Sequence, residues 1–223
     1  MPRSRFTDIS IVLDRSGSME SIADDTIGSF NAFVADQRKE PGDAQLSLVL
    51  FDNEYTPVHV AVPLATVPRL TTETFQPRGT TALLDAIGRT ILETGQRLAA
   101  LAEPDRPDRV IFVIITDGHE NASQDFTRER IFRMISHQRD VYSWHFEFLG
   151  ANQDAIEAAG HIGIAPADSL TYGATATGTR ASMAAMSGKM RVYRATGAAP
   201  AYSPAERAQA MDEPDQGLPG QSR

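Results

Sequence analysis

At 223 residues, with 41% hydrophobic and 22% charged side chains, the chain has the size and composition of one substantial globular domain, which excludes a disordered or fibrous protein. It contains no cysteine, so disulfide scaffolds, zinc-thiolate sites and thiol nucleophiles are excluded, in keeping with a reducing compartment. The formal net charge of −8, without any run of lysines and arginines, argues against a general nucleic-acid binder, because such affinity comes from clustered cations on the phosphate backbone.

The first ten residues, MPRSRFTDIS, carry basic side chains but no apolar stretch with a small-residue cleavage site behind it. No later apolar run nears the roughly 20 residues of a membrane span, so the reading is a cytoplasmic protein with no membrane contact. The Asn121-Ala-Ser sequon carries no glycosylation meaning in that setting.

In chain order, DISIVLD (8–14) reads as a buried strand. It is followed by a helix over 21–40 with Ile22, Thr26, Phe30 and Phe33 or Val34 at helical spacing. QLSLVLFD (45–52) is a second buried strand. TPVHVAVPL follows it too closely for a helix to intervene, which predicts an antiparallel hairpin partner at the sheet edge, where Pro57 and Pro63 are tolerated. A helix over 81–103 with Leu84, Ile87, Ile91 and Leu98 on one stripe leads to the strand RVIFVIITD (109–117). Amphipathic TRERIFRMISHQRD, the strand SWHFEFLGA and amphipathic QDAIEAAGHIG come next.

Beyond Ser169 a last short strand and a final helix are expected, with Met183, Met186 and Met190 packed inward as core filler. From Ala198 onward the scarcity of large apolar side chains predicts a flexible tail, so that residues 1–197 form the domain and 198–223 the tail. Strands alternating with helices give an α/β, Rossmann-like doubly wound, mostly parallel sheet with one antiparallel edge strand and helices on both faces.

In such a sheet, ligands bind beyond the carboxyl ends of the strands. Three strands end in acidic residues there: Asp14 followed by Arg-Ser-Gly-Ser, Asp52 followed by Asn53, and Asp117 followed by Gly-His-Glu-Asn. Carboxylates held together without a basic partner resist ionisation unless a cation lies between them. The neighbouring donors are hydroxyls, with Ser16 and Ser18 on the first turn and the threonines of RGTTALLD opening another helix. Oxygen-only ligands select a hard cation and disfavour zinc and copper.

Asp14-Arg15-Ser16-Gly17-Ser18, the distant Thr81 and Asp117 in ITDG resemble the metal-ion-dependent adhesion site (MIDAS) of von Willebrand factor type A domains, whose signature is Asp-x-Ser-x-Ser, a distant Thr and a distant Asp. The resemblance runs from about residue 6 to 171 and points to a bacterial or phage intracellular branch. It implies that Ser16 and Ser18 ligate Mg²⁺ or Mn²⁺, ahead of Ca²⁺, through their hydroxyls and that Thr81 does so directly or through water. Asp14 and Asp117 would supply charge by way of coordinated waters.

This chain has Gly79-Thr80-Thr81 where the family usually has Gly-Gly-Thr, and both threonines stay open, the spacing of Thr81 to Asp85 favouring Thr81. The resemblance further implies a non-enzymatic module, a scaffold or regulator in an intracellular assembly, that recognises an Asp or Glu of a protein partner. Asn53, Thr80, Glu120 and Asn121 are candidates for the rim of that contact. Gly17 is expected to keep the metal-site turn free of side-chain bulk.

Plainer readings exist for several of these residues. Ser16, Ser18 and the threonines could be helix caps. Asp52 and Asn53 suit a turn better than a ligand set. His119, His137, His145 and His161 lack metal-ligand spacing. Gly-x-Ser-x-Gly and the phosphate-binding glycine loops are missing. The rival function is a Mg²⁺-dependent hydrolase or phosphatase, although haloacid-dehalogenase-like phosphatases place a second Asp where this chain has Ser16.

Overall fold

The computed structural model describes residues 5–151 and 154–212. Six strands and six α-helices follow one another along the described residues: β1 (Phe6–Asp14), α1 (Ala23–Gln37), β2 (Asp43–Phe51), β3 (Tyr55–Pro63), α2 (Leu83–Ala99), β4 (Arg109–Thr116), α3 (Arg128–Tyr142), β5 (His145–Ala151), α4 (Ala155–His161), β6 (Ser169–Tyr172), α5 (Ala176–Thr196) and α6 (Pro204–Ala210). The strands form a six-stranded sheet in the order β3-β2-β1-β4-β5-β6. Every pairing is parallel except β2 with β3, so the one antiparallel strand lies at the edge, as the short connection after Asp52 requires.

Side-chain alternation divides the core into two layers. Ile9, Ile11 and Leu13 of β1 point with Ile111, Val113 and Ile115 of β4 toward α1 and α5, where Phe30, Phe33, Met183, Met186 and Met190 close over them. Val12, Phe112, Ile114, Phe146 and Phe148 point the other way, against Leu84, Ile87 and Ile91 of α2 and Ile131 and Ile135 of α3. Both faces of the central strands are therefore dry, which is why those strands read as unbroken apolar runs.

Within the segment from Ala198, expected to be a flexible tail, the described residues 198–212 instead pack onto the domain and form α6. Tyr202 and Ala210 are buried. α6 opens with a full capping box, Ser203 and Glu206 exchanging hydrogen bonds across its first turn, with Pro204 in the first-turn position where its missing N–H is harmless. Arg207 donates to the carbonyls of Ser169 and Pro166 at 2.9 and 2.8 Å, and Gly173 N–H donates to Ala210 O at 2.9 Å. One aromatic anchor and a capped turn suffice where composition alone suggested none. Residues 213–223 of the expected tail lie outside the described residues, as does Gln153 at the start of the expected helix QDAIEAAGHIG.

The α6 junction holds a buried ionic network. Lys189 Nζ donates to Asp168 Oδ1 at 2.7 Å and to Ala167 O at 2.8 Å, and pairs with Glu147 Oε1 at 2.9 Å. Tyr202 O–H donates to Glu147 Oε2 at 2.9 Å, and His145 Nε2 lies 2.5 Å from Glu147 Oε1. The Tyr202 ring covers the ammonium at 4.4 Å. Burial and the neighbouring Glu147 charge push the Tyr202 phenol well above its ordinary range, so it stays a hydrogen-bond donor.

Candidate metal centre

The β1–β4 register places Leu13 beside Ile115 and thus brings Asp14 level with Thr116 at the carboxyl edge of the sheet. Asp14 is fully buried. Its Oδ2 accepts the Thr116 hydroxyl at 2.5 Å and its Oδ1 accepts Ser16 N–H at 2.7 Å. Ser16 Oγ lies 3.1 Å from Ser18 Oγ, and Ser18 O–H donates to Asp117 Oδ1 at 2.7 Å. A continuous hydrogen-bonded path thus links Asp14 to Asp117 through the two serines.

Ser16 occupies the N-cap position of a 3-10 turn over 17–22, yet its side chain makes no capping bond. Its hydroxyl is turned into the oxygen cluster, so the capping role does not account for it. Thr81 is 3% exposed, and its Oγ1 lines the same spot as Ser18 Oγ: a Cβ on Gly118 would sit 3.1 Å from the first and 3.6 Å from the second. Thr80, by contrast, is exposed. The structure therefore brings Asp14, Ser16, Ser18, Thr81 and Asp117 together and leaves Thr80 outside.

Among the described residues neither carboxylate of the pair has a lysine, arginine or histidine in ion-pairing reach. Burial first, and the charge of Asp117 last and least, hold Asp14 up to about 6 despite its hydrogen bonds from Thr116 and Ser16. Burial also raises Asp117. Tyr172, at the end of β6, has its phenol raised by burial and then by these two charges. No sequence signal pointed to Thr116 or Tyr172, whose parts here depend on register and strand order. Carboxylates and hydroxyls without nitrogen or sulfur fit a hard divalent cation.

Asp52 settles as a structural hub and not as a ligand. Its buried carboxylate accepts Arg15 Nε–H at 3.0 Å, Arg78 Nε–H at 2.8 Å and Glu54 N–H at 2.5 Å. Arg78 N–H donates to Arg15 O at 2.8 Å and Ala82 N–H to Asp52 O at 2.9 Å. The loop bearing Ser16 and the loop bearing Thr81 are thus fixed to the end of β2 and to each other. Gly17, expected to be needed for space, would place a Cβ 3.5 Å from Gly79 O, an ordinary contact. The glycine that is needed is Gly79, with φ of +66° and a hypothetical Cβ 2.1 Å from Asn53 Oδ1.

Two rim candidates have other work. Glu120 was expected to face a partner, but Oε1 accepts Ala122 and Ser123 N–H at 3.0 and 2.7 Å, while Oε2 accepts Leu84 N–H at 2.9 Å and the Ser123 hydroxyl at 2.7 Å. It caps the first turn of α2, whose free N–H groups attract a carboxylate. Asn121 accepts Thr81 N–H at 2.9 Å and donates to Thr81 O at 3.1 Å, which makes it a positioning residue for Thr81. Asp85 in turn accepts Gln124, Asp125 and Phe126 N–H. Asn53 and Thr80 remain on the exposed rim.

The raised Asp14 gives a pH test. Between its ordinary 3.8 and about 6 the folded protein holds a proton that the unfolded chain releases, so metal-free stability falls as pH rises through that window. A cation needs the ionised form. The melting-temperature gain on adding Mn²⁺ is expected to be large at pH 7.5 and small at pH 5, read by scanning fluorimetry. Equal gains at both would detach the ion from Asp14.

His145, Glu147 and Asp168 also offer ligand atoms within 4.8 Å of one another. There the Lys189 ammonium already supplies the positive charge, at 2.9 Å from Glu147 and 2.7 Å from Asp168. His119, His137 and His161 are exposed and fall in no such group among the described residues.

No protein-family model matches the sequence, and no curated protein matches it either. Solved structures do match. Proximal thread matrix protein 1 from the mussel byssus superposes with a TM-score of 0.60 at 15% identity, over 86% of this chain and 47% of that one. A von Willebrand factor type A protein from Catenulispora acidiphila gives 0.57 at 15% identity, over 84% and 43%. The manganese-loaded TRAP protein of Plasmodium vivax gives 0.53 at 14% identity, over 76% and 69%. A further form of the mussel protein has a zinc-occupied MIDAS motif. The chain spans less than half the length of the first two, and at these identities the likeness establishes the fold.

Proposed function

We propose that this chain, which has the von Willebrand factor type A fold, is a divalent-cation-dependent protein-binding module that recognises an acidic residue of a partner. The observation that carries the reading is the convergence of Asp14 and Asp117 with three hydroxyls and no cationic side chain among the described residues. Such a cluster is repulsive alone and becomes favourable around a cation.

Ser16, Ser18 and Thr81 would hold the ion by their hydroxyls, and Asp14 and Asp117 would balance its charge. The donor set favours Mg²⁺ or Mn²⁺, and the neighbours, one manganese-loaded and one with a zinc-occupied MIDAS motif, support a divalent cation without selecting it. With few charged groups bound directly, the ion would keep a strong attraction for an incoming carboxylate. Asn53 and Thr80, exposed beside it, would meet the partner.

A binding role and not catalysis is favoured because Glu120, one of the two candidate bases beside the motif, has both oxygens engaged, which leaves the exposed His119 alone. No helix among the described residues is long and apolar enough to cross a membrane. A cytoplasmic scaffold or regulator, of bacterial or phage origin, is the setting this reading proposes, with no nucleic-acid ligand.

The test is affinity capture from native lysate with wild type in Mg²⁺, wild type in EDTA, and Asp14→Ala in Mg²⁺. A protein retained only in the first arm is the expected outcome. The same proteins in every arm, or Mg²⁺-dependent release of phosphate from a generic ester that Asp14→Ala abolishes, would move the assignment to the hydrolase class.

A further inference from the structure

The start of α3 breaks a local rule. A helix N-terminus carries positive partial charge and favours Asp or Glu, yet α3 opens Arg128-Glu129-Arg130 and adds Arg133 one turn on. Thr127 caps the helix through Arg130 N–H, so the arginine side chains are not needed to begin it. Residues that oppose local stability without a compensating contact mark function more often than folding.

The compensating contacts are missing at two of the three. Arg130 lies over the Phe126 ring at 4.2 Å and donates to Asp125 O at 3.2 Å. Arg128 and Arg133 make no side-chain hydrogen bond or ion pair among the described residues, and Glu129, one turn from Arg133, does not pair with it. Three other exposed arginines are matched, Arg89 with Glu93, Arg139 with Asp140 and Arg180 with Asp25, whereas Arg69 stands alone and outside the groove lining. Between the two unmatched arginines stands Phe132, 45% exposed. With Glu129 and with His161 from the end of α4, they line an open groove of about 570 Å³.

We propose that this groove between α3 and α4 docks an acidic segment of a partner protein, with carboxylates on Arg128 and Arg133 and an apolar side chain on Phe132. Charge complementarity identifies the occupant: on a chain of formal net charge −8 the groove lining carries two unpaired guanidinium groups against one carboxylate, Glu129, with the exposed Phe132 ring beside them. A nucleic acid would need a longer cationic track than two free arginines give. Guanidinium forks match carboxylates in pairs, and a half-exposed aromatic between them supplies the apolar anchor that charge alone lacks. The site is separate from the oxygen cluster and needs no ion.

The probe is a fluorescein-labelled synthetic peptide, Glu-Glu-Leu-Trp-Glu-Glu, followed by anisotropy in EDTA, so that the cation site is silent. Wild type is expected to bind it, more weakly as salt rises. The double variant Arg128→Glu, Arg133→Glu is expected to bind at least about tenfold more weakly. Its melting temperature should equal or exceed that of wild type, since Glu at the first helical position agrees with the dipole. Replacing Leu and Trp of the peptide by Ser should also weaken binding. Absent binding, equal binding by the variant, or tighter binding of an oligothymidylate of matched charge would each overturn the proposal, the last by making the groove a polyanion surface.

Discussion

Lys189→Met is expected to lower stability by about 3 to 5 kcal/mol, the cost of removing one partner from a buried ion pair. The methionine fills most of the lysine's volume, so the loss is electrostatic and not a cavity. Lys189 and Glu147 side chains are 3% and 0% exposed, and without the ammonium Glu147 faces Asp168 across a space that water cannot reach freely. α6 should loosen as well, because Lys189 lies under the Tyr202 ring and Tyr202 holds Glu147. Urea denaturation of wild type and variant measures the loss. The double variant Lys189→Met, Glu147→Gln should recover part of it, since both charges then leave together. A loss below about 1 kcal/mol would place the network with solvent-screened pairs instead.

That network also shows where sequence reading stops. Strands β1, β2, β4 and β5 announced themselves as apolar runs, because a parallel sheet covered on both faces leaves no polar alternation to confuse. The edge strand β3 followed from a connection too short for a helix, and Met183, Met186 and Met190 from helical spacing. Glu147 and Lys189 gave no signal: they are 42 residues apart by their numbers in the chain, and only the pairing of β5 with β6 and the crossing of α5 bring them together. α6 was missed for a related reason. Its hold on the fold comes from Tyr202, Arg207 and a capping box, few residues in a stretch otherwise rich in Ala, Pro and Gly.

The oxygen cluster was far more legible because strand ends in a parallel sheet share one edge, so Asp14 and Asp117 had to converge once both strands were recognised. What could not be read was which oxygens are free. Glu120 and Asn121 have the chemistry of a rim, and only geometry shows that the N–H groups of α2 and of Thr81 claim them. Asp52 presented the same face as Asp14 in the sequence, a strand-terminal carboxylate. Arg15 and Arg78 neutralise it, while Asp14 has no such partner. The difference between a hub and a candidate ligand is therefore the cation beside it, supplied by the chain in one case and left to solution in the other.

Asp14→Asn separates those two cases most sharply. The amide oxygen can still accept Ser16 N–H, and the amide nitrogen can donate to Thr116 Oγ1, whose own hydrogen is then free for Gly118 O at 3.2 Å. The shape is preserved and the charge is gone. Affinity for Mn²⁺, by titration calorimetry, is expected to fall by about 10- to 100-fold, the range for losing a group that acts on the ion through coordinated water. In EDTA above pH 7 the same variant should be more stable than wild type by about 2 to 3 kcal/mol, since a carboxyl held up to about 6 no longer has to ionise in a buried place. Loss of binding with a gain in stability is what a group kept for a cation must show. Weaker stability in EDTA would make Asp14 a structural residue, and unchanged Mn²⁺ affinity would send the ion elsewhere.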